Sequence, residues 1–288
     1  MRISDLLATR GPIFSFEFFP PKTEQGERNL LRTLETLRAL QPTFVSVTYG
    51  AGGSSQNQTI ELVCRIKHDL NIESMAHLTC VGASRADMLA VLRRLEAGGI
   101  ENVLALRGDP PQGQASFAPA ADGFAHASDL VGFIRAQGFQ FCLGGACYPE
   151  GHVESPDPET DLTHLKTKVD AGLDFVITQL FFDNADFFAF VERARARRIA
   201  VPIIPGIMPI TNLAQIERFT SLCGARIPPA LRRQLDAARA DDAAVRAVGI
   251  DHATRQCRDL LAHGVPGIHF YTLNQSPATR AIFAALRR

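Results

Sequence analysis

NVLALRGDPP, Asn102 to Pro111, is the stretch from which the fold is read. Its first five residues are apolar apart from Asn102, without the polar alternation of a half-exposed strand. A strand covered on both faces has that look. The chain then leaves through Arg107-Gly108-Asp109, two opposite charges around a glycine. In α/β proteins the loops at the carboxyl ends of parallel strands form the ligand-facing rim. There a glycine lets backbone come close to a ligand, while Arg offers a rigid donor fork and Asp a carboxylate. The competing reading is a surface Arg–Asp pair on a turn closed by Pro110 and Pro111.

Working outward, strands and helices alternate. Ile13–Phe19, Phe44–Tyr49, Ser74–Cys80, Asn102–Leu106, Gln140–Tyr148, Phe175–Phe182, Val201–Gly206 and Gly267–Thr272 read as strands. Helices are expected over Glu24–Leu40, Gln56–Leu70, a segment capped by Ser84 and stopped by Gly98-Gly99, Asp129–Gln137 capped by Ser128, Asp161–Ala171, a segment opened by Asn184, a segment capped by Thr211, and Pro277–Leu286. Ala230–His263 is longer than one unit needs and reads as two helical pieces at the barrel's end. Strands alternating with helices imply a parallel sheet. Eight units in 288 residues favour an α/β fold of the (β/α)8 TIM-barrel type, with an extra helix before the last strand. No composition break divides the chain, so residues 1–288 read as a single barrel domain.

Thirty basic and thirty acidic residues give a formal net charge of zero, which argues against nucleic acid or an anionic membrane as partner. The six cysteines lack CxxC spacing and mostly lie in apolar segments, as buried thiols of a reducing compartment do. Met1–Arg10 has no apolar signal core, and no run approaches the roughly 18 apolar residues of a membrane helix. A cytoplasmic protein is expected.

Several features carry chemistry. Glu17 stands between Phe16 and Phe18 inside the first strand, where an unpaired carboxylate is costly. It reads either as a structural ion pair or as a carboxyl of raised pKa suited to general acid catalysis. Gly50-Ala51-Gly52-Gly53 fails the dinucleotide fingerprint, because Ser55 stands where the last glycine belongs. It reads as a rim loop flanked by Thr48 and Tyr49. His77, His126, His152 and His164 lie near strand exits; no metal-binding spacing joins them, and they read as hydrogen-bonding partners for a polar ligand. Gln179 is an amide in an apolar strand, able to donate and accept along a heterocycle edge or to bond neighbouring backbone. Lys168, late in its helix, suits either the helix dipole or a phosphate. Pro110–His126 is a long irregular connection and a candidate lid.

FSFEFFPPK, FVSVTYGAGG, AHLTC, NVLALRGDPP, YPEGH, DLxxLKxKVDAG, ITQLFFD, PGIMPITN and FYTLN follow one another along the chain. Together they resemble the catalytic barrel of the methylenetetrahydrofolate reductase family, bacterial single-domain type. The resemblance implies an FAD-containing barrel, a homo-oligomer, that reduces 5,10-methylenetetrahydrofolate to 5-methyltetrahydrofolate with NADH or NADPH. It puts Glu17 at the position of the general acid and Asp109 at that of a carboxylate touching flavin and folate. Gln179 takes the place of a contact to folate and the nicotinamide donor. Thr48, Tyr49, Ala51, His77, Arg107, Gly108, Ala127, Tyr148, His152, Asp161 and Lys168 match flavin-binding positions, and His164 stands at a further one with a changed residue.

The chain departs from the family pattern at five places. His164 and Thr167 replace Asn and Arg beside the flavin's adenosine and phosphate portion, and Leu213 replaces a Phe at the substrate. Gln275 replaces a folate-associated Arg, and Leu173 replaces a small Ala. A lost Arg fork removes a charge-assisted contact. The alternatives are a flavin-free reductase of the same substrate and a non-catalytic folate-binding homologue.

Overall fold

The computed structural model describes residues 1–9, 11–49, 53–110, 117–275 and 277–286. In chain order the elements are α1 (Ile3–Thr9), β1 (Ile13–Phe18), α2 (Glu24–Arg38), β2 (Phe44–Val47), α3 (Gly53–His68), β3 (Ser74–Thr79), α4 (Arg85–Ala97), β4 (Asn102–Leu106) and α5 (Ala127–Ala136). They continue as β5 (Cys142–Cys147), α6 (Pro158–Asp170), β6 (Phe175–Thr178), α7 (Asn184–Ala196), β7 (Ile203–Ile204), β8 (Gly206–Ile207), α8 (Leu213–Cys223), α9 (Pro229–Ala237), α10 (Asp242–Ala262), β9 (Gly267–Tyr271) and α11 (Pro277–Leu286).

All pairings are parallel, in the order β7-β6-β5-β4-β3-β2-β1-β9-β8. The two ends of this order are two halves of one strand. Pro205 separates them and has no N–H for a ladder. Ile203–Ile204 pairs with β6, Gly206–Ile207 pairs with β9, and the Pro205 carbonyl still accepts from His269 N at 2.9 Å. The expected seventh strand is therefore present but bent at its proline, and the sheet forms an α/β TIM-type barrel.

The barrel is apolar on both sides of its wall at the amino end. Phe16, Phe18, Val45, Val47, Leu78 and Val103 face outward to Leu34, Leu92, Ile134 and Leu162 of the helices. Ile13, Phe44, Met75, Leu104, Phe175 and Ile204 fill the lower interior. Ile3 belongs to that inner cluster and is fully buried. Helix α1, absent from the sequence expectation, thus stoppers the amino end. Asn102 holds it, accepting from Ile3 N at 2.8 Å and donating to the Met1 carbonyl at 3.0 Å.

Several caps differ from expectation for local reasons. Ser84 caps α4 as expected, in a reciprocal box with Asp87. Helix α5 begins earlier than Ser128: His126 is its N-cap residue, and the Asp129 carboxylate accepts from the His126 and Ala125 amides. Asn212 rather than Thr211 caps α8, accepting from Gln215 N at 2.9 Å. Strand β6 stops at Thr178, four residues short of the expected end, because Leu180 and Phe182 turn into a separate apolar cluster with Met208, Leu213, Leu231 and Leu235. That cluster is what the additional helices α9 and α10 cover.

Of the connection expected to be a lid, residues 111–116 lie outside the described residues. Its far end is anchored by Phe124, fully buried with the Arg85 guanidinium 5.0 Å above its ring.

Gly206 has no space for a side chain: a Cβ there would fall 2.3 Å from the Thr178 carbonyl oxygen and 2.7 Å from the Tyr271 ring. Gly206→Ala is expected to lower the stability of the fold by about 1–3 kcal/mol, as overpacking does, measurable as a reduced midpoint in urea denaturation.

Candidate active site

Alternation along β1 turns Phe16 and Phe18 toward the helices and Ser15 and Glu17 toward the barrel axis. Glu17 is 8 % exposed, near the carboxyl end of the strand. Its Oε2 lies 3.5 Å from Nε2 of His269 on β9 and 3.5 Å from Nε2 of His77 on β3. The other ring nitrogen of His269 is 2.8 Å from Ser15 Oγ, its register partner. Sequence reading had not singled out His269. The signal was there: in GIHFY it alternates with Ile268 and Phe270, just as Ser15 and Glu17 alternate with phenylalanines on the neighbouring strand.

Burial holds the His77 imidazole down to about 4; the Glu17 charge opposes this and His269 adds to it. For Glu17, burial is the largest single influence and works upward. The hydrogen bond from His269 and the charges of His77 and His269 together outweigh it, so the carboxyl sits below its ordinary value. The raised pKa expected from the apolar sequence context is thus not found, because two imidazoles from distant strands meet the carboxylate.

Two buried hydroxyls on the neighbouring strands β2 and β3, Ser46 Oγ and Thr79 Oγ1, have no hydrogen-bond partner, and His77 Nε2 has only its 3.5 Å approach to Glu17. Ser46 is the register partner of Glu17 across β1 and β2. Unpaired buried groups cost about 1–3 kcal/mol each, and here they sit at the end of a barrel where ligands enter. On the opposite side, Tyr271 donates its hydroxyl to the Thr178 carbonyl at 2.6 Å.

A second group collects on the rim after β4 and β5. Arg107 forms a forked pair with Glu154 at 2.5 and 2.7 Å, and its guanidinium lies 5.2 Å from the centre of the Phe117 ring. Asp109 is exposed and is not the partner of Arg107, contrary to the simple Arg–Asp pair. Gly108 has φ +88°, and a Cβ on it would meet Val81 at 2.6 Å and Thr79 at 2.9 Å. Its need for glycine therefore comes from the neighbouring β3 loop. His152 stacks edge-on to Tyr148 at 4.6 Å and accepts from Glu154 N at 3.1 Å. Asp161 is buried, and burial raises its pKa against the pull of His152 and Lys168. Lys168 reaches back to the Ala146 carbonyl at 2.5 Å instead of capping its own helix, and burial lowers its pKa against Cys147 and Asp161.

Gln179 lies one residue past β6, half-buried, and its Oε1 accepts from Leu180 N at 2.9 Å. With Tyr148, Glu150, Leu180 and Cys223 it lines a small, open recess. Thr48 is half-buried at the end of β2, and Ala127 is the buried first residue of α5. The remaining candidates stand apart. The Tyr49 side chain is buried in the layer between barrel and helices, under the charges of Arg94 and Asp87 on α4. His164 and Thr167 are exposed on α6, and Gln275 is exposed beyond β9. Leu213 is buried in the α8–α9 cluster, and Leu173 packs outside the wall against the position where Gly145 lacks a Cβ. Ala51 and the loop at 50–52 lie outside the described residues.

A protein-family model described as methylenetetrahydrofolate reductase matches residues 2–287. The chain belongs to the methylenetetrahydrofolate reductase family. It is 44% identical over 271 residues to methylenetetrahydrofolate reductase (NADH) 1 of Arabidopsis thaliana, covering 91% of this chain and 46% of that protein. It is 37% identical to the 5,10-methylenetetrahydrofolate reductase of Salmonella typhimurium, covering 93% of this chain and 88% of that protein. The chain thus spans about half the length of its plant relatives and most of that of the bacterial one. Among solved structures, a Clostridium thermocellum protein described as binding two copies of 5-methyl-5,6,7,8-tetrahydrofolic acid aligns at a TM-score of 0.64 with 16% identity, covering 99% of this chain and 98% of that one. Oxaloacetate acetylhydrolase aligns at 0.54 with 12% identity, covering 100% of this chain and 85% of that one. Both share the fold.

The buried neutral imidazole sets a pH dependence. His77 titrates near 6.5 when unfolded and at about 4 when folded. The unfolded state therefore binds more protons between these values, and stability falls as pH drops from about 6.5 to about 4. The depressed Glu17 pKa acts in the same sense below its unfolded value. His77→Gln is expected to flatten the fall in unfolding free energy across that window, measured by urea titrations at a series of pH values.

Proposed function

We propose that this chain is a reductase that converts 5,10-methylenetetrahydrofolate to 5-methyltetrahydrofolate with a reduced nicotinamide nucleotide, using bound FAD. The observation that carries the proposal is Glu17, buried near the carboxyl end of β1 between two imidazoles, with unpaired hydroxyls on the neighbouring strands β2 and β3. Membership of the family and the names of the bacterial and plant relatives support the reaction class.

The residues present fit a flavin. Ser46 and Thr79 offer unpaired hydroxyls, and His77 a ring nitrogen, to the edge of a ring rich in heteroatoms. Arg107 on the rim and Lys168 behind β5 are the two cations a diphosphate would recruit, in exchange for their present contacts with Glu154 and the Ala146 carbonyl. Thr48, Gly108, Ala127, Tyr148, His152 and Asp161 are the further proposed contacts, with Tyr49 contributing through its backbone; Ala51 and the exposed His164 of α6 are proposed from the family positions alone. When bound, FAD supplies a two-electron carrier between nicotinamide and folate. Asp109, Gln179 and Gln275 are the proposed contacts to folate from three exit loops.

Glu17 holds the proton that the substrate's amine needs as the bridging methylene opens. Without substrate it is ionised beside His269. A heterocycle filling the mouth would complete the burial that already pushes this carboxyl upward, and His269 and His77 are within exchange distance for the proton. Asp109, exposed on the rim, supplies a fixed negative charge where positive charge develops.

Glu17→Gln keeps the shape and removes the acid. General acid catalysis contributes about 10²–10⁴-fold, so folate turnover should fall at least about a hundredfold. NADH oxidation with a quinone as acceptor needs no proton at that amine and should be far less affected. Comparable losses with both acceptors would make Glu17 a structural member of the barrel. An absorbance spectrum of the freshly purified protein separates the flavin-dependent reading from a flavin-free one.

A further inference from the structure

Phe19 is one of the exposed large apolar side chains of the molecule, at 40 % exposure, and it follows directly on β1 at the rim. It belongs to no apolar cluster among the described residues. Its backbone shows which way it points. In a parallel ladder the N–H and C=O of one residue turn to the same neighbouring strand, and the next residue turns to the other. Phe18 O accepts from Thr48 N on the β2 side. Glu17 O accepts from Thr272 Oγ1, and Phe19 N and O both meet Asn274, on the β9 side. The extended geometry thus continues through Phe19, and its ring shares the face of Glu17, one step further up the mouth.

Asn274 replaces the strand that is no longer there. The β1–β9 register ends at Glu17 opposite Tyr271, and Pro20-Pro21 beyond cannot donate. The Asn274 side chain then accepts from Phe19 N at 2.7 Å and donates to Phe19 O at 2.9 Å. To aim that amide, Leu273 and Asn274 both take left-handed backbone conformations, with φ of 51° and 59°. For a leucine this is strained. Strain kept beside an exposed aromatic and a buried carboxylate marks a position held for a purpose other than stability.

We propose that Phe19 is a substrate-contact residue whose ring packs on the flat conjugated part of the folate bound over Glu17, and that Asn274 is its positioning residue. This rests on the folate reading above. Such a ring selects planar conjugated substrates without hydrogen bonds, and it sits in line with the group proposed to supply the proton.

The test uses the purified holoprotein and titrates 5-methyltetrahydrofolate by calorimetry. Stacking of a base on an aromatic side chain is worth about five- to a hundredfold in affinity, so Phe19→Leu should bind about tenfold more weakly. Phe19→Tyr keeps the ring and should restore binding. Asn274→Gly suits the left-handed backbone at that position but lacks the amide, and should also weaken binding. The decisive measurement is the double variant: with no ring left to aim, Asn274→Gly should add little to Phe19→Leu, whereas a merely structural loop defect would add its full effect. Thermal melting of each variant confirms that the barrel stands. Parent-like binding by Phe19→Leu, or full additivity in the double variant, overturns the inference while leaving the reductase reading intact. A parent holoprotein that binds no reduced folate overturns both.

Discussion

Taking an ionised carboxylate out of water costs several kcal/mol unless partners meet it, and this barrel is arranged so that they do. Glu17 is reached by imidazoles from β3 and β9, the second neighbour on one side and the first on the other. His269 is fixed in turn by Ser15, and Thr272 binds the Glu17 carbonyl. Every one of these groups depends on parallel register, because a one-residue slip would turn each side chain to the other face of the wall. The apolar lower interior and the helix layer secure that register.

The architecture was legible because its signals are local and repeated. Asn102–Leu106 and Pro277–Leu286 have the limits read from sequence, and the fold class follows from the alternation. What escaped was set by tertiary contacts. Strand β6 is shorter than its apolar run, since Leu180 and Phe182 are apolar for a different cluster. The bend at Pro205 lets one strand serve two neighbours. Helix α1 has only seven residues, too short a run for Ile3, Leu6 and Leu7 to establish a helical period, yet Ile3 is wholly enclosed.

The candidate site was legible as a list of residues and not as a geometry. Glu17 stood out because a charge between phenylalanines violates the pattern. Its lowered pKa did not, since the partners that lower it lie 60 and 252 residues away. Arg107 and Asp109 looked like a pair from their spacing, but the longer reach of Glu154 from the next exit loop captures the guanidinium fork. Both His269 and Asn274 were hidden for the same reason: each acts on the first strand from the far end of the chain.

The stopper at the amino end gives the barrel a direction. With α1 seated among Ile13, Phe44, Met75 and Leu104, the amino end is filled among the described residues, and Glu17 stands nearer the other end. A molecule that meets this carboxylate therefore comes in over the exit loops and leaves over them. Those loops would be passed twice by every visitor, once on arrival and once on departure, so one surface would govern both admission and release.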